Sequence, residues 1–287
     1  MDELGFSIHE AQRYVDRKRV FLDGKLVEDK ASSLCGVIEV VMFEPDPIGL
    51  IPVFETEDFA VFEKPSGLLV HPRKREDVRT LNDDIKHLFG KDANAAHRID
   101  KETSGLVLVG KNKENEIALK NLFEEKKVYK EYFALVNGKV KEEIIIDAKL
   151  IVGHPSSSIK IKVHVDDSGK DSKTKIEPIN YFEKYDVTFV RAIPFTGRQH
   201  QIRAHLFHVK HNIIGDTIYG IDEVYTDQYL DGILSYEKRL ELTKSSRLLL
   251  HANRIKFQYK DIEYDIISKV DIEKEFLREM ELSDGKY

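Results

Sequence analysis

The chain has 287 residues, of which 41% are hydrophobic, and a formal net charge of −6 at pH 7. This size and apolar content suffice for one large core or two smaller ones. No apolar run approaches the roughly 20 residues of a membrane-spanning helix, and the first residues are acidic where a secretory signal is basic. We therefore expect a soluble, cytoplasmic protein whose nucleic-acid contacts, if any, come from a local basic patch.

The single cysteine, Cys35, limits the covalent and metal chemistry. One thiol excludes an internal disulfide framework and a cysteine-rich zinc site. Free cysteines usually behave as small apolar residues, so we expect Cys35 to be buried and unreactive.

Residues 1–45 are predicted to form a separate small module. Ser7 and Glu10 have the spacing of a capping box, which predicts a helix to about residue 17. Asp23 and Gly24 lie between two apolar pairs and predict a tight hairpin. Prolines at 45, 47 and 52 then break both helix and sheet, which indicates a linker over 46–52.

The body, residues 53–287, alternates strand-like and helix-like segments without a regular βαβ period. This order favours an α+β body built on a mixed, largely antiparallel central sheet. We predict strands at 59–62, 68–70 and 128–136, a surface helix at 114–126, a hairpin at Asn137-Gly138 with 142–152 as its second strand, and a solvated loop or hairpin tip at 155–175.

The stretch AAHRIDKETSGLVLVGKN, residues 95–112, admits two interpretations. Gly105 to Lys111 satisfies the first seven positions of a phosphate-binding loop. Its interior, however, is an unbroken apolar run that favours a buried strand, and Asn112 stands where the magnesium-binding Ser or Thr belongs. We therefore predict a loop that carries Asp100, a turn, and a core strand over 106–109.

A second informative stretch, residues 194–211, contains four histidines and several cations. His205, His208 and His211 are spaced three apart, which brings neighbours onto one side of a helix. No Cys, Asp or Glu lies among them, so the pattern does not favour zinc. We interpret the histidines as polar residues on a basic surface suited to phosphates.

Asp100 lies in HRIDKETSGL, which resembles the catalytic motif of the RluA-type pseudouridine synthases, usually written with Leu where this chain has Ile99. The resemblance spans roughly residues 53–262. It implies a pseudouridine synthase fold and isomerisation of uridine in RNA without a cofactor. The family's other signatures follow in order as EKPSGLLVHP (63–72), KEYFALVNG (130–138), TGRQHQIRAHL (196–206), GDTIYG (215–220) and LLLHANRIKF (248–257).

The resemblance also implies roles for single residues. Asp100 matches the catalytic Asp, acting as a nucleophile or as a base on the sugar. Arg203 matches the Arg that pairs with this Asp and keeps it ionised. Tyr132 matches the active-site Tyr, which stacks on the detached uracil. Arg98 matches the motif Arg that fills the space of an extruded base.

The remaining predicted contacts concern RNA and the pocket. The intermediate is vulnerable to water, so the pocket should be dry, and candidate wall residues are Ile99, Leu106 and Ile202. The helix and hairpin of 1–45 resemble the S4 RNA-binding domain, although this segment holds more acidic than basic residues. The candidate RNA-binding residues are His97, Arg98, Arg198, His200, Lys210, Arg13 and Lys18.

The expected partner is RNA, with large-subunit ribosomal RNA favoured over transfer RNA by analogy with the S4-like arrangement. We expect a monomer that needs neither metal nor membrane. Two alternatives stay open at this point: a non-catalytic RNA-binding or ribosome assembly factor, and a His-dependent metallohydrolase.

Overall fold

A computed structural model describes residues 5–31, 35–42, 44–72 and 78–283 of the chain. The chain divides into two units, Met1–Pro45 and Asp46–Tyr287. The helices are α1 (Ile8–Asp16), α2 (Leu81–Phe89), α3 (Lys113–Glu124), α4 (Gln201–His208), α5 (Glu223–Leu230), α6 (Tyr236–Thr243) and α7 (Ile272–Ser283). In the described ranges, none of these helices is long and apolar enough to cross a bilayer.

The strands form three sheets, two of them small. The first unit holds β1 (Val20–Leu22), β2 (Lys25–Leu26) and β3 (Ile38–Val40). The strands of the second unit are β4 (Pro52–Glu55), β5 (Phe59–Lys64), β6 (Asn94–Ala95), β7 (Ser104–Gly110), β8 (Tyr129–Asn137), β9 (Ile144–Asp147), β10 (Leu150–Val152), β11 (Val163–Val165), β12 (Lys173–Phe182), β13 (Val187–Pro194), β14 (Leu250–Tyr259) and β15 (Ile262–Ile267).

Local signals determine the first unit. Ser7 and Glu10 exchange the two hydrogen bonds of a capping box, at 3.0 and 3.3 Å, so the predicted helix is confirmed. The hairpin is also confirmed: Asp23 and Gly24 have φ of 47° and 75°, as a tight turn with two left-handed residues requires. The third strand, β3, pairs with β1 and was not predicted.

The prediction for Cys35 is wrong, because its side chain is exposed. The described part of the first unit buries few apolar side chains, namely Ala11, Val20 and Val27. A core of this size leaves no apolar interior near Cys35, which precedes β3.

The segment 46–52 is held by the second unit. The backbone N–H groups of Gly49 and Leu50 both donate to Asp84 at 2.8 Å, and that of Asp46 donates to Asp83 at 3.3 Å. Asp83 and Asp84 lie in the first turn of α2, so this helix anchors the chain before β4 begins.

The central sheet has ten strands in the order β4-β5-β7-β14-β8-β13-β12-β9, with β15 on β14 and β6 on β7. Among the described residues β7 and β14 pair in parallel, and the other neighbours are antiparallel. The α+β prediction with a mixed, largely antiparallel sheet is therefore confirmed.

Two local predictions in the body are wrong. Leu69 makes only an isolated bridge to Thr80, so 68–70 is not a strand. The turn at Asn137 is tied to Asn212, and β9 pairs with β12, so no hairpin joins β8 to 142–152. The segment 155–175 begins as the tip of the hairpin between β10 and β11, as one of its two predictions has it, and then contains β11 and the start of β12.

The strand β7 occupies the stretch that resembled a phosphate-binding loop. It is buried along its whole length and pairs with β5 from Gly105 to Gly110, so its N–H groups belong to the sheet. Gly105 has φ of +110°, and a Cβ there would lie 2.3 Å from the carbonyl oxygen of Ala252 on β14. Only glycine permits this approach.

Both faces of β7 are packed. Leu106 and Leu108 lie in one cluster with Phe59, whereas Val107 and Val109 lie in another beneath α2. Leu106 is therefore a core residue on the Phe59 side of β7, and its role as a pocket wall stays a prediction.

Candidate active site

The loop that carries Asp100 lies between β6 and β7 and is held by the segment that follows β5. Lys64 donates to the carbonyl oxygens of Pro65, Leu68 and Lys101 at 2.8, 2.7 and 3.1 Å. The Lys101 carbonyl also accepts from the Gly67 N–H at 2.9 Å. The three donors of a buried ammonium are thus satisfied, and the loop backbone is fixed on both sides of the turn.

Burial lowers the pKa of Lys64 to about 7, and the nearby carboxylates of Glu102 and Asp100 act in the opposite direction. Glu102 itself pairs with Arg239 at 2.5 Å. Burial alone would raise the pKa of Glu102, but Arg239 outweighs it and lowers that pKa. The loop therefore has a charged anchor two residues beyond Asp100.

Arg203, on α4, links two carboxylates. Its Nε and Nη2 donate to the two oxygens of Asp216 at 2.7 and 2.8 Å, and its Nη1 donates to Asp100 at 3.2 Å. The side chains of Arg203 and Asp216 are 3% and 1% exposed, whereas that of Asp100 is 27% exposed. The bidentate pair fixes the guanidinium plane, so Asp100 meets a cation of defined orientation while it stays open to solvent.

Electrostatics keep this pair charged. Burial opposes the charge on Arg203, but Asp216 and Asp100 raise its pKa above the ordinary value. Burial likewise opposes the charge on Asp216, but Arg203 and the N–H groups of Ile218 and Tyr219 lower its pKa. A permanent cation is thus held beside Asp100.

His200 lies on the other side of the carboxylate. Its Nε2 is 3.8 Å from Asp100 Oδ2, and its Nδ1 is 3.3 Å from the Tyr219 hydroxyl. Burial and Arg203 lower the pKa of His200 to about 4, so the ring is neutral. Tyr219 also accepts from the Val163 N–H, and its hydroxyl contact with Nδ1 turns the Nε2 edge of the ring toward Asp100.

Tyr132 lies on β8 in the middle of the sheet. Its partners in register are Ala192 on β13 and Ala252 on β14, two small side chains on either side of the ring. Burial raises the pKa of Tyr132 above the ordinary value and the charge of Asp100 raises it further, so the phenol keeps its proton.

One predicted RNA-binding histidine assignment needs correction. The Nε2 of His97 accepts from the Leu108 N–H at 3.0 Å, and its ring stacks on Phe123. Burial lowers the pKa of His97 to about 3, so it is a neutral structural residue and cannot attract phosphate. His200 is also neutral but lies in the site against Asp100, and its contact with RNA stays a prediction.

The other predicted residues are distributed as follows. Ile99 packs at the edge of the cluster beneath α2, and Ile202 is buried in the cluster on which Tyr132 packs. The side chains of the remaining predicted RNA-binding residues are exposed: Arg13, Lys18, Arg98, Arg198 and Lys210.

The histidines of 194–211 do not form a cluster. His205 is buried and bonds Thr174 and the Ala148 carbonyl, so its assignment to a basic surface is wrong. His211 bonds the Asn137 carbonyl at 2.8 Å. In the ranges that the structure describes, no group of three or more His, Cys, Asp or Glu side chains could hold a metal ion.

Sequence reasoning missed the residues that support the site. Asp216 and Tyr219 lie in GDTIYG, a motif whose position was noted without assigning its residues a role. Lys64 lies in EKPSGLLVHP in the same way. A signal existed for Asp216: it is the first acid after a long basic segment, and a buried arginine needs a carboxylate.

The arrangement is that of an enzyme site built on one accessible carboxylate, and comparisons with known proteins agree. The family model described as RNA pseudouridylate synthase matches residues 58–208. An "Uncharacterized RNA pseudouridine synthase" of Helicobacter pylori is 37% identical over 268 residues, which cover 93% of this chain and 89% of that relative. The "Ribosomal large subunit pseudouridine synthase C" of Pasteurella multocida is 35% identical over 215 residues, which cover 72% and 60%.

A solved structure agrees in fold. "Human RNA Pseudouridylate Synthase Domain Containing 1" superimposes with a TM-score of 0.61 at 24% identity, covering 79% of this chain and 86% of that one. The chain therefore belongs to the RluA-type RNA pseudouridine synthases, which are isomerases.

Proposed function

We propose that this enzyme converts uridine to pseudouridine in large-subunit ribosomal RNA, with Asp100 as its catalytic carboxylate. The observation that carries the assignment is the contact between Asp100 and the buried pair of Arg203 and Asp216. It places one carboxylate against a buried cation, oriented and still open to a substrate.

The reaction breaks the bond from N1 to C1′ and joins C1′ to C5. The proton on C5 is lost and N1 gains one, so nothing is oxidised and no water is added. Asp100 can begin this sequence in two ways, by attacking C1′ or by removing a proton from the sugar. Neither way calls for a cofactor, and we propose that none is used.

Tyr132 is proposed to stack on the freed uracil. Because its pKa is raised, it acts as a neutral phenol, and accepting the C5 proton would need the disfavoured phenolate. His200 is neutral, and in the tautomer with its proton on Nε2 it would donate a hydrogen bond to Asp100 or to a ribose oxygen. Arg98 is exposed and is proposed to occupy the position of the extruded base.

The ribosomal substrate is favoured by the resemblance of 1–45 to an S4 domain, with a helix followed by a hairpin. In this proposal the exposed cations Arg13 and Lys18 contact phosphates, and the enzyme acts in the cytoplasm as a monomer. The name of the Pasteurella relative supports the same substrate.

The test is release of tritium from C5 of a labelled large-subunit ribosomal RNA transcript. The parent enzyme should release tritium, and Asp100→Asn should release none, because the amide neither attacks C1′ nor takes a proton. Folding of the variant is checked by circular dichroism.

Labelled transfer RNA transcripts run in parallel test the substrate. Release from transfer RNA alone would overturn the ribosomal assignment, and equal turnover by Asp100→Asn would overturn the carboxylate. No release from either RNA by the parent would favour a non-catalytic binding factor.

A further inference from the structure

A cavity of about 610 Å³ lies beside the active site on the far side of Tyr219. Tyr219 contributes to both places. Its ring lies 5.3 Å from the Arg203 guanidinium and 5.8 Å from the ring of Phe207, which lines the cavity. A single side chain thus separates the cavity from the cation that orients Asp100.

The lining combines cations with an aromatic ring. His164 comes from β11 and Lys162 directly precedes that strand, and Phe207 and His208 come from the end of α4, with Lys210 just beyond. Phe207 is 42% exposed, an unusual exposure for a large apolar ring. This is the chemistry that binds an unpaired nucleotide, with a ring for the base and ammonium groups for the phosphate.

The cations differ in their availability. Lys162 pairs with Glu223 at 3.0 Å, so this carboxylate already compensates part of its charge. Lys210 is exposed and has no ion pair among the residues that the structure describes. The buried Nε2 of His164 likewise has no hydrogen-bond partner within the described ranges. The cavity therefore offers one exposed ammonium without an ion pair, that of Lys210.

We infer that this cavity binds a nucleotide of the RNA strand that flanks the target uridine, stacking its base on Phe207 and holding its phosphate at Lys210. The inference rests on the proposed function, because proximity to Asp100 selects RNA over an acidic peptide as the occupant. The cavity would be a second RNA-binding site, which lies outside the reaction centre and positions the strand.

The first experiment measures tritium release by Phe207→Leu and Lys210→Gln. Loss of a stacked base should raise KM about tenfold and leave kcat unchanged. Lys210→Gln should weaken binding and reduce the slope of log affinity against log salt by about 0.7, the value for one phosphate on a single strand. The matched controls are Tyr236→Leu, an exposed ring on α6, and Lys274→Gln on α7.

The second experiment is independent of turnover. A short oligouridylate containing 5-iodouridine is irradiated with the full-length enzyme, and the adduct is mapped by mass spectrometry. Attachment at Phe207 supports the inference. Attachment elsewhere, together with unchanged KM and salt slope, would overturn it.

The two experiments separate the inference from the proposed function. A parent enzyme that releases no tritium while the oligonucleotide still attaches at Phe207 would remove the function but retain the RNA site. Displacement of the oligonucleotide from the cavity by polyglutamate, with ribosomal RNA unable to compete, would instead identify an acidic protein as the occupant and overturn the inference.

Discussion

Charged side chains behave differently in the two units of the chain. In the first unit, Lys18 and Glu28 meet at 3.5 Å with side chains 65% and 71% exposed. In the second unit, Arg203 and Asp216 meet at 2.7 Å almost without exposure. Both are ion pairs of ordinary residue types, yet only the second fixes the position of a third group, Asp100.

The difference shows what burial adds to an ion pair. In water, two long side chains gain little by pairing, because solvent screens the attraction and the pairing costs side-chain entropy. In the interior, no water is present to solvate either partner, so removing one leaves an uncompensated charge. The buried pair of Arg203 and Asp216 therefore keeps a fixed geometry, whereas the exposed pair of Lys18 and Glu28 is free to rearrange.

The largest effect is expected from Asp216→Asn, which keeps the shape of the side chain but removes its charge. The variant should lose about 3–5 kcal/mol of unfolding free energy, because Arg203 stays buried without its bidentate partner. Urea denaturation measures this loss, and tritium release should fall with it because Asp100 meets a misplaced guanidinium. A variant with parental stability would show that the pair is not the anchor described above.

A smaller effect, dependent on pH, is expected at Glu63. This carboxylate lies 3.3 Å from His251 Nε2, but burial lowers the pKa of His251 to about 3, so the neighbour is neutral. Burial also raises the pKa of Glu63 from 4.5 to about 7. Between pH 4.5 and about 7, Glu63 is protonated in the folded state but ionised in the unfolded state. Glu63 therefore makes the free energy of unfolding fall as the pH rises from about 4.5 to 7.

Glu63→Gln removes this titration. Relative to the parent, the variant should be about 3 kcal/mol more stable at pH 8 than it is at pH 4, as measured by urea denaturation at both values. A difference that does not change with pH would mean that Glu63 has the same pKa in the folded and unfolded states and would contradict the prediction.

The smallest effect is expected from Glu28→Gln in the first unit. Its partner Lys18 remains in solvent, so unfolding free energy should change by less than about 0.5 kcal/mol. A loss comparable to that of Asp216→Asn would remove the contrast between the two units.

Sequence patterns predicted the elements whose causes are local. The capping box of Ser7, the turn at Asp23-Gly24 and the apolar strand after Gly105 all formed as predicted. The partner strands were not predictable in this way. The supposed hairpin at Asn137-Gly138 failed because the turn bonds Asn212 and Asp186, which no local pattern indicates.

The predictions for the site residues show the same division between local and distant causes. Motif resemblance identified Asp100, Arg203 and Tyr132, and the structure brings these groups together. The supporting contacts of Asp216 and Lys64 depend on burial and on main-chain carbonyls, which have no signature in the sequence. His97 shows the converse, because its position in the motif suggested phosphate contact while its ring caps the backbone of β7.

At Gly105, β7 and β14 lie so close together that there is no room for a methyl group. Ala252 sits opposite Gly105 on one side of β14 and opposite Tyr132 on the other. The missing side chain thus sets the spacing between the strand that ends the carboxylate loop and the strand that bears the phenol. Alanine at 105 would force these strands apart, so the absence of a side chain at this glycine sets the distance between the loop of Asp100 and the strand of Tyr132.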